Sequence, residues 1–345
     1  MDESEFLDEA LLRLHRTGPE FQGRLSNHGP MVVEAMVRRG HGEEVERWVD
    51  WYSTRLDALP GAQEVIVEST WGEALGDVRR LGDWIALFSE QFQLHSWKDV
   101  LATWWPRLLP GLAASATHSV IRVGHAVRVL RDEGSSEVRI EELAQALAYW
   151  AARWLPMSRA QETSGTLDVR GALANLPRLA NDDARFPELV SRLDDFAPWP
   201  TAAAALRLAS DARDSQRLLT DIVTEATLYY GSRKRGDEIM VVHAATAPNA
   251  VLRVLPSLPT DLWIESQQAA WMATAAVVTM YDSPVDSHGR QPAGIHSAEE
   301  TFALAVEHKD EHVIKLADTA LDVYAWTSDE RALAAAHRAA VDIEV

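Results

Sequence analysis

Apolar residues recur at three- and four-residue spacing through most of this chain, whereas the alternation typical of strands is scarce. A repeat of this kind gives each helix one apolar stripe, which must be buried against other helices. The chain has 345 residues, of which 47% are apolar, so it carries enough material for a deep core. The sequence therefore predicts an all-α fold, with residues 1–345 forming a single multi-helix globular domain.

The predicted helices end at glycines, prolines or short acidic turns. They cover residues 6–15, 31–39, 77–91, 97–105, 112–131, 140–154, 202–219, 221–230, 237–248, 250–255, 262–281, 299–326 and 329–341. Residues 156–200 carry five prolines and have a looser pattern, which indicates either an internal boundary or a long loop excursion over the same core. Residues 282–296 are rich in Pro and Gly and predict a surface loop.

The charge balance bears on partners and location. With 33 Lys and Arg against 52 Asp and Glu, the formal net charge is −19. An acidic surface of that size repels nucleic acid and anionic membranes, so we expect neither as a partner. The first residues are acidic and lack a basic region followed by an apolar run, and the apolar stretches are too short to span a bilayer. We therefore expect a cytoplasmic protein, of an oligomeric state that the sequence leaves open.

Cysteine is absent from the chain. Its absence excludes disulfides, thiolate nucleophiles, iron–sulfur clusters and zinc–cysteine sites. Any metal ion must therefore be held by nitrogen and oxygen ligands. The chain also lacks a Gly-rich phosphate loop, a G-x-S-x-G elbow and an H-E-x-x-H motif. Most of its 13 Trp residues are expected to anchor the core, with a few free to line an aromatic pocket.

The strongest local signal is the segment 307–315. It carries His308, His312 and Lys315, which lie four and three residues apart and would share one face of a continuous helix. Apolar neighbours predict that this face is buried, and burial lowers the pKa of a lysine. A neutral lysine amine can react with carbon dioxide to form a carbamate, an oxygen ligand suited to a divalent metal beside histidines. The alternative is a solvated helix face with His308 merely amphipathic.

Further histidines are candidates for the same site. His118 and His125 lie seven residues apart, two helical turns, among small residues that allow close approach of a helix or ligand. The alternative is that both are core residues bonded to backbone carbonyls. His28 stands at a predicted helix start, and His243 lies in an apolar stretch, where a buried imidazole needs a partner. The remaining histidines are expected to be structural or exposed: His15, His41, His95, His288, His296 and His337.

Four motifs together resemble the questin oxidase family. They are Asn27-His28-Gly29-Pro30-Met31, the stretch from Ala116 to Ala126, Val242-His243-Ala244-Ala245-Thr246, and Asp310-Glu311-His312-Val313-Ile314-Lys315. The resemblance covers most of the chain. It implies an oxygenase of aromatic polyketide metabolism, acting by oxidative opening of an anthraquinone-type ring or by a related Baeyer–Villiger-like oxidation.

The resemblance also implies a site: a buried mononuclear non-haem iron between helices, held by four histidines and a carboxylated lysine. The matching positions are His28, His118, His243, His312 and Lys315. His125 and His308 are interpreted as supporting or substitute ligands and as candidates for a catalytic general base. The expected metal is Fe(II), although Mn or Zn suits the same donors. Dioxygen is the expected co-substrate, and NADPH remains open as a reductant.

Two other classes of function compete with this interpretation. A helical metal-dependent hydrolase would commonly place Asp directly after His, and the chain has no His-Asp dipeptide. A non-catalytic helical protein that binds an aromatic ligand would contain the same buried histidines but no stoichiometric metal.

Overall fold

A computed structural model describes residues 3–22, 25–157, 163–180, 184–232, 237–282 and 297–344. The chain folds into two compact units. The first unit comprises Met1–Pro156 with Arg253–Pro259, and the second comprises Met157–Leu252 with Thr260–Val345. Both units are built from helices, which confirms the all-α prediction. The prediction of a single domain stays a prediction.

The first unit contains seven α-helices among its described residues. They are α1 (Glu3–Leu14), α2 (Gly29–Arg38), α3 (Gly42–Ser53), α4 (Leu81–Leu94), α5 (Trp97–Leu108), α6 (His118–Asp132) and α7 (Glu137–Ala152). Two short antiparallel strands, β1 (Glu20–Phe21) and β2 (Leu25–Ser26), precede α2. Short 3-10 helices cover Trp71–Ala74, Val78–Arg80, Leu109–Gly111 and Ala114–Thr117. Helix α6 packs against α2 and α7 and is buried along almost its whole length, so it forms the centre of this unit.

Most of the remaining helices belong to the second unit. They are α8 (Val169–Ala174), α9 (Phe186–Asp195), α10 (Trp199–Ala203), α11 (Ala212–Ser232), α12 (Glu238–Val241), α13 (His243–Val254), α14 (Trp263–Tyr281), α15 (Ala298–His308), α16 (Glu311–Thr327) and α17 (Glu330–Asp342). A short 3-10 helix covers Thr260–Leu262, and another, Leu255–Ser257, belongs to the first unit. Helix α16 packs against α11, α15 and α17, and α14 packs against α11. Both α14 and α16 are buried over most of their length, as their apolar sequences require.

Two long helices were predicted as continuous but are broken in the structure, next to candidate site residues. The predicted helix 112–131 begins only at His118, because the preceding residues Ser115, Ala116 and Thr117 have φ values of 50°, 53° and 71°. The predicted helix 299–326 is broken at Lys309, which adopts φ 69°, and α16 starts after it. Neither break involves Gly or Pro, the residues by which helix ends are usually predicted from sequence.

Other helix boundaries also differ from the predictions. The predicted helix 202–219 is interrupted because Arg207 N donates to the Leu167 carbonyl at 2.9 Å, in a short parallel pairing. Helix α11 then runs without a break through the predicted gap at residue 220. Helices α3, α8 and α9 were not predicted. The predicted loop 282–296 lies, from residue 283 onward, outside the described residues.

One stretch, Glu238–Ser257, is long and apolar enough to span a membrane among the described residues. Its most apolar window is 78% buried within the structure. A core helix of a globular protein has this character, so the stretch gives no support to a membrane span.

Candidate metal centre

His28 and His118 stand at the starts of two helices that pack together, α2 and α6. His28 is the N-cap of α2, directly before Gly29 and Pro30, and the fixed φ of Pro suits the first turn. His118 is the first residue of α6, and the left-handed run before it directs the chain into that helix. Backbone held in such sparsely populated conformations is frequent at functional sites.

The two imidazole rings meet edge to face, with centroids 4.5 Å apart and an interplanar angle of 82°. Nε2 of His28 lies 2.7 Å from Nε2 of His118. Both side chains are buried, at 3% and 7% exposure. Nδ1 of His118 donates to the Ser115 carbonyl at 2.6 Å, and Nδ1 of His28 lies 3.3 Å from the Tyr52 hydroxyl.

These contacts determine what lies between the rings. A carbonyl only accepts hydrogen bonds, so Nδ1 of His118 carries its proton and Nε2 of His118 presents a lone pair. Two lone pairs cannot face each other at 2.7 Å, so a proton or a metal cation must lie between the Nε2 atoms. Two nitrogens bound at right angles to one metal ion lie roughly 3 Å apart. The pair therefore fits the group that the resemblance implies.

His125 lies two turns along α6 from His118, in a separate buried network. Its Nδ1 donates to Glu34 of α2 at 2.6 Å, and its Nε2 accepts from Arg253 Nη1 at 3.2 Å. Arg128 also binds Glu34, with Nε 2.7 Å from Oε1. Burial alone would raise the pKa of Glu34, but Arg128 and His125 lower it to about 2. Burial also lowers the pKa of His125, against the opposite effect of Glu34.

Both ring nitrogens of His125 are engaged, which fits a residue that positions α2 against α6 better than a free general base. Its predicted catalytic role stays a prediction. The sequence had one signal for this network, since Glu34 is the sole charged residue within the apolar stretch from Met31 to Val37. A buried carboxylate of that kind requires a cationic partner.

In the second unit, His312 lies in the first turn of α16. Asp310 caps this helix, because its Oδ1 accepts from the backbone N–H groups of His312 at 2.8 Å and Val313 at 3.2 Å. Such a cap contributes about 1 kcal/mol and fixes the position of the first turn. The cap, together with the left-handed Lys309, also explains why the predicted continuous helix ends at His308.

His308 therefore does not share a helix with His312 and Lys315, and the predicted common face of these three residues is wrong. His308 ends α15, and its Nε2 donates to the Ile343 carbonyl at 3.0 Å. Its predicted catalytic role stays a prediction. His312 and Lys315 remain three residues apart on α16, so they do lie on one side of that helix.

His243 begins α13 and is fully buried. Its ring centroid lies 5.4 Å from that of His312, with an interplanar angle of 55°. The start of α13 is anchored to α14, because Thr274 Oγ1 donates to the Ala244 carbonyl at 2.9 Å. The structure thus brings together two of the histidines that the sequence analysis placed in the site.

Lys315 is 1% exposed, and its Nζ has no hydrogen-bond partner among the residues that the structure describes. Burial lowers the pKa of Lys315 to about 7, although the carboxylates of Glu311 and Asp310 act in the opposite direction. Burial therefore favours the neutral amine over the ammonium form. A buried, unbonded amine is unfavourable as it stands, and a carbamate or a metal contact would satisfy it.

The structure thus describes two groups of predicted ligands: His28 with His118 in the first unit, and His243, His312 and Lys315 in the second. Tyr52 and Ser115 contact the first pair and were not predicted from the sequence. Tyr52 gave no signal because α3 was not predicted. Ser115 gave none because residues 112–117 were assigned to a regular helix.

A family model described as Questin oxidase-like matches residues 39–320, more than half of the 345-residue chain. The matched span contains His118, His243, His312 and Lys315. His28 lies before the matched span, but its side chain contacts His118 within that span. Neither the curated proteins nor the solved structures include a significant match to the chain. Three of the four motifs lie within the matched span, and the chain belongs to the Questin oxidase-like family.

Proposed function

We propose that this chain is a non-haem metal-dependent oxygenase that acts on an anthraquinone-type aromatic polyketide. The proposed reaction is oxidative ring opening or a Baeyer–Villiger-like oxygen insertion. Family membership supports this class of reaction. The observation that carries the proposal is the buried His28–His118 pair, whose Nε2 atoms lie 2.7 Å apart and whose Nδ1 atoms both contact oxygen atoms. Metal-binding histidines in proteins have this arrangement.

The proposed ligand set follows the family resemblance. We propose that one ion is bound by His28, His118, His243, His312 and Lys315. The contact between His28 and His118 supports the first part of the set, and the His243–His312 contact with the buried Lys315 supports the second. Nitrogen and oxygen donors of this kind suit Fe(II), and they also accept Mn(II) or Zn(II).

The proposed carbamate on Lys315 balances in atoms and charge. The neutral amine nitrogen attacks the carbon of carbon dioxide, a C–N bond forms, and one amine proton is released to solvent. The low pKa of Lys315 supplies the neutral amine, and its lack of a hydrogen-bond partner among the described residues leaves Nζ free to react. Four neutral imidazoles leave both charges of a divalent ion uncompensated, and one carbamate would offset one of them.

A bound iron would supply redox chemistry with dioxygen and Lewis acidity toward a deprotonated hydroxyquinone. The chain's own residues hold the donors in place. The Ser115 carbonyl fixes the His118 ring, and the Asp310 cap fixes the first turn that carries His312. Burial of all five side chains excludes water from them. Insertion of one oxygen atom from dioxygen needs two electrons from a reductant such as NADPH, whereas insertion of both atoms does not.

The test uses the full chain loaded anaerobically with Fe(II) and a panel of hydroxyanthraquinones. We expect oxygen consumption, together with a product that contains one or two ¹⁸O atoms when ¹⁸O₂ is supplied. Assays with and without NADPH distinguish insertion of one oxygen atom, which needs a reductant, from insertion of both atoms, which does not. Lys315→Met should abolish the reaction, and Lys98→Met, at an exposed lysine, should not.

Two results would contradict the proposal. Hydrolysis of a substrate without oxygen consumption would favour a metal-dependent hydrolase. Tight binding of the quinone with no turnover by the metal-loaded protein would favour a non-catalytic ligand-binding protein.

A further inference from the structure

Tyr52 near the end of α3 contacts His28 with its hydroxyl group. The hydroxyl oxygen accepts the backbone N–H of His28 at 2.7 Å and lies 3.3 Å from Nδ1 of the same residue. The hydroxyl oxygen also lies 3.5 Å from the Ser26 carbonyl, a long contact toward which its hydrogen can turn. The residue is fully buried, so its hydroxyl group is shielded from solvent.

The ring of Tyr52 is held firmly. It stacks on Trp48, with centroids 4.5 Å apart and planes at 15°, and it meets the edge of Phe21 at 6.3 Å. The guanidinium of Arg55 lies over the same ring at 4.8 Å from its centroid. The hydroxyl oxygen therefore has a fixed position, while its hydrogen can still rotate about the C–O bond.

Two hydrogen-bond arrangements satisfy the same atoms. In the first, Nε2–H of His28 donates to the bare Nε2 of His118 at 2.7 Å, and Nδ1 of His28 accepts from the Tyr52 hydroxyl. In the second, Nε2 of His28 is bare and free to bind a metal, and its proton is on Nδ1. The Tyr52 oxygen then accepts from Nδ1–H, and its own hydrogen turns toward the Ser26 carbonyl. The ring stays neutral, since one proton leaves Nε2 and one arrives at Nδ1.

We propose that Tyr52 is the positioning residue of His28 and that its hydroxyl reverses from donor to acceptor when His28 binds a metal. This inference rests on the proposed metal-binding function. A hydroxyl can take both parts because it is donor and acceptor at once, whereas a carbonyl or a carboxylate only accepts. Without it, the metal-binding form of His28 would lose this hydrogen bond of a buried Nδ1–H group. Loss of such a partner typically weakens metal binding by about 10- to 100-fold.

The test compares wild type with Tyr52→Phe, using Tyr230→Phe as the matched control. Tyr230 is equally buried and donates to the Glu238 carbonyl, in the second unit. Zinc affinity is measured by competition with a chromophoric chelator, because Zn(II) is diamagnetic and needs no anaerobic handling. The proton position on His28 is read from ¹⁵N spectra of histidine-labelled full-length protein, with His28 assigned by its absence in His28→Gln.

In metal-free wild type we expect the proton of His28 on Nε2, and after Zn(II) addition on Nδ1. Tyr52→Phe should shift the metal-free Nδ1 resonance and weaken Zn(II) binding by about 10- to 100-fold, while Tyr230→Phe should change neither. An unchanged Nδ1 resonance, or unchanged zinc affinity, in Tyr52→Phe would overturn the inference. A wild-type His28 that carries its proton on Nδ1 both with and without zinc would overturn it even if the variant fails to fold.

Failure of the proposed function gives a different result. In that case wild type itself binds no zinc, and the metal-positioning role of Tyr52 falls with it. The Nδ1 resonance of the metal-free variants then still decides whether the hydroxyl of Tyr52 bonds to His28.

Discussion

His28 and His118 are 90 residues apart in sequence, yet their Nε2 atoms lie within 2.7 Å of each other. The contact depends on where α6 begins, because His118 is the first residue after three consecutive left-handed residues. In the predicted helix from residue 112, Ser115 would have regular helical backbone angles. In the structure its backbone is left-handed, and its carbonyl accepts a hydrogen bond from Nδ1 of His118. A strained segment of backbone therefore sets the geometry of the pair.

Substitution of Ala116 by Gly should stabilise the protein. Ala116 adopts φ 53°, where its Cβ is strained, and Gly relieves that strain by about 1 kcal/mol. Chemical denaturation measures the change in the free energy of unfolding. Ala113→Gly is the control, since Ala113 has φ −70°, and it should lose about 1 kcal/mol. Equal destabilisation by both variants would contradict the assignment of strain to Ala116.

Substitution of Asp310 by Ala should remove the cap of α16 and cost about 1 kcal/mol of stability. It should also weaken metal binding, because the capped turn carries His312. Asp329→Ala removes the similar cap of α17 and is the matched control. We expect it to lower the free energy of unfolding without changing metal affinity. If both variants bind metal alike, the cap has no part in orienting His312.

Stability should depend on pH through Glu34. The pKa of Glu34 is about 2 in the folded protein and near 4.5 when the group is unperturbed, so the unfolded chain takes up the proton first as the pH falls. The stabilisation is therefore complete above about pH 4.5 and is lost as the pH falls toward 2. The lowered pKa corresponds to about 3 kcal/mol.

Denaturation of wild type and Glu34→Gln between pH 2 and 6 checks this prediction. The difference in their free energies of unfolding should shrink as the pH falls through this window. Glu43→Gln, at an exposed position, should follow wild type throughout. A constant difference between wild type and Glu34→Gln would show that Glu34 is not the titrating group.

The proposed carbamate predicts that metal binding depends on carbon dioxide. Protein kept in CO₂-free buffer at slightly acidic pH should bind less Fe(II), and added bicarbonate should restore binding, since the carbamate forms from the neutral amine of Lys315. Lys315→Met should bind little metal under either condition but retain its helical circular dichroism. Lys98→Met should behave as wild type. Metal binding by wild type that is indifferent to carbon dioxide would exclude the carbamate.

The helices predicted correctly from the sequence are those with a clear apolar stripe and clear ends. Helix α5 begins at Trp97 as predicted, and α14 covers nearly all of the predicted segment 262–281. The errors arise where tertiary contacts determine the backbone. The errors include Ser115, Ala116 and Lys309, which have positive φ values. Ser, Ala and Lys are all compatible with a helix, so the local sequence does not indicate a left-handed backbone at these positions.

The sequence identified the candidate ligands of the site, but it did not reveal which of them contact each other in the fold. The motifs indicated His28 and His118, but their contact joins segments far apart in sequence, which spacing along a single chain cannot reveal. The expectation that His308, His312 and Lys315 share a face failed because the left-handed Lys309 separates two helices. Tyr52 could not be found at all, since its role depends on how α3 packs beside His28.

The most direct test of the central claim is the metal content of the purified full chain, measured by plasma mass spectrometry. Wild type is compared with His243→Ala and with His95→Ala, an exposed control. We expect stoichiometric iron in wild type and in His95→Ala, and loss of iron in His243→Ala. Absence of metal from wild type, even after anaerobic reconstitution with Fe(II), would contradict the account and leave a helical protein whose buried histidines serve another purpose.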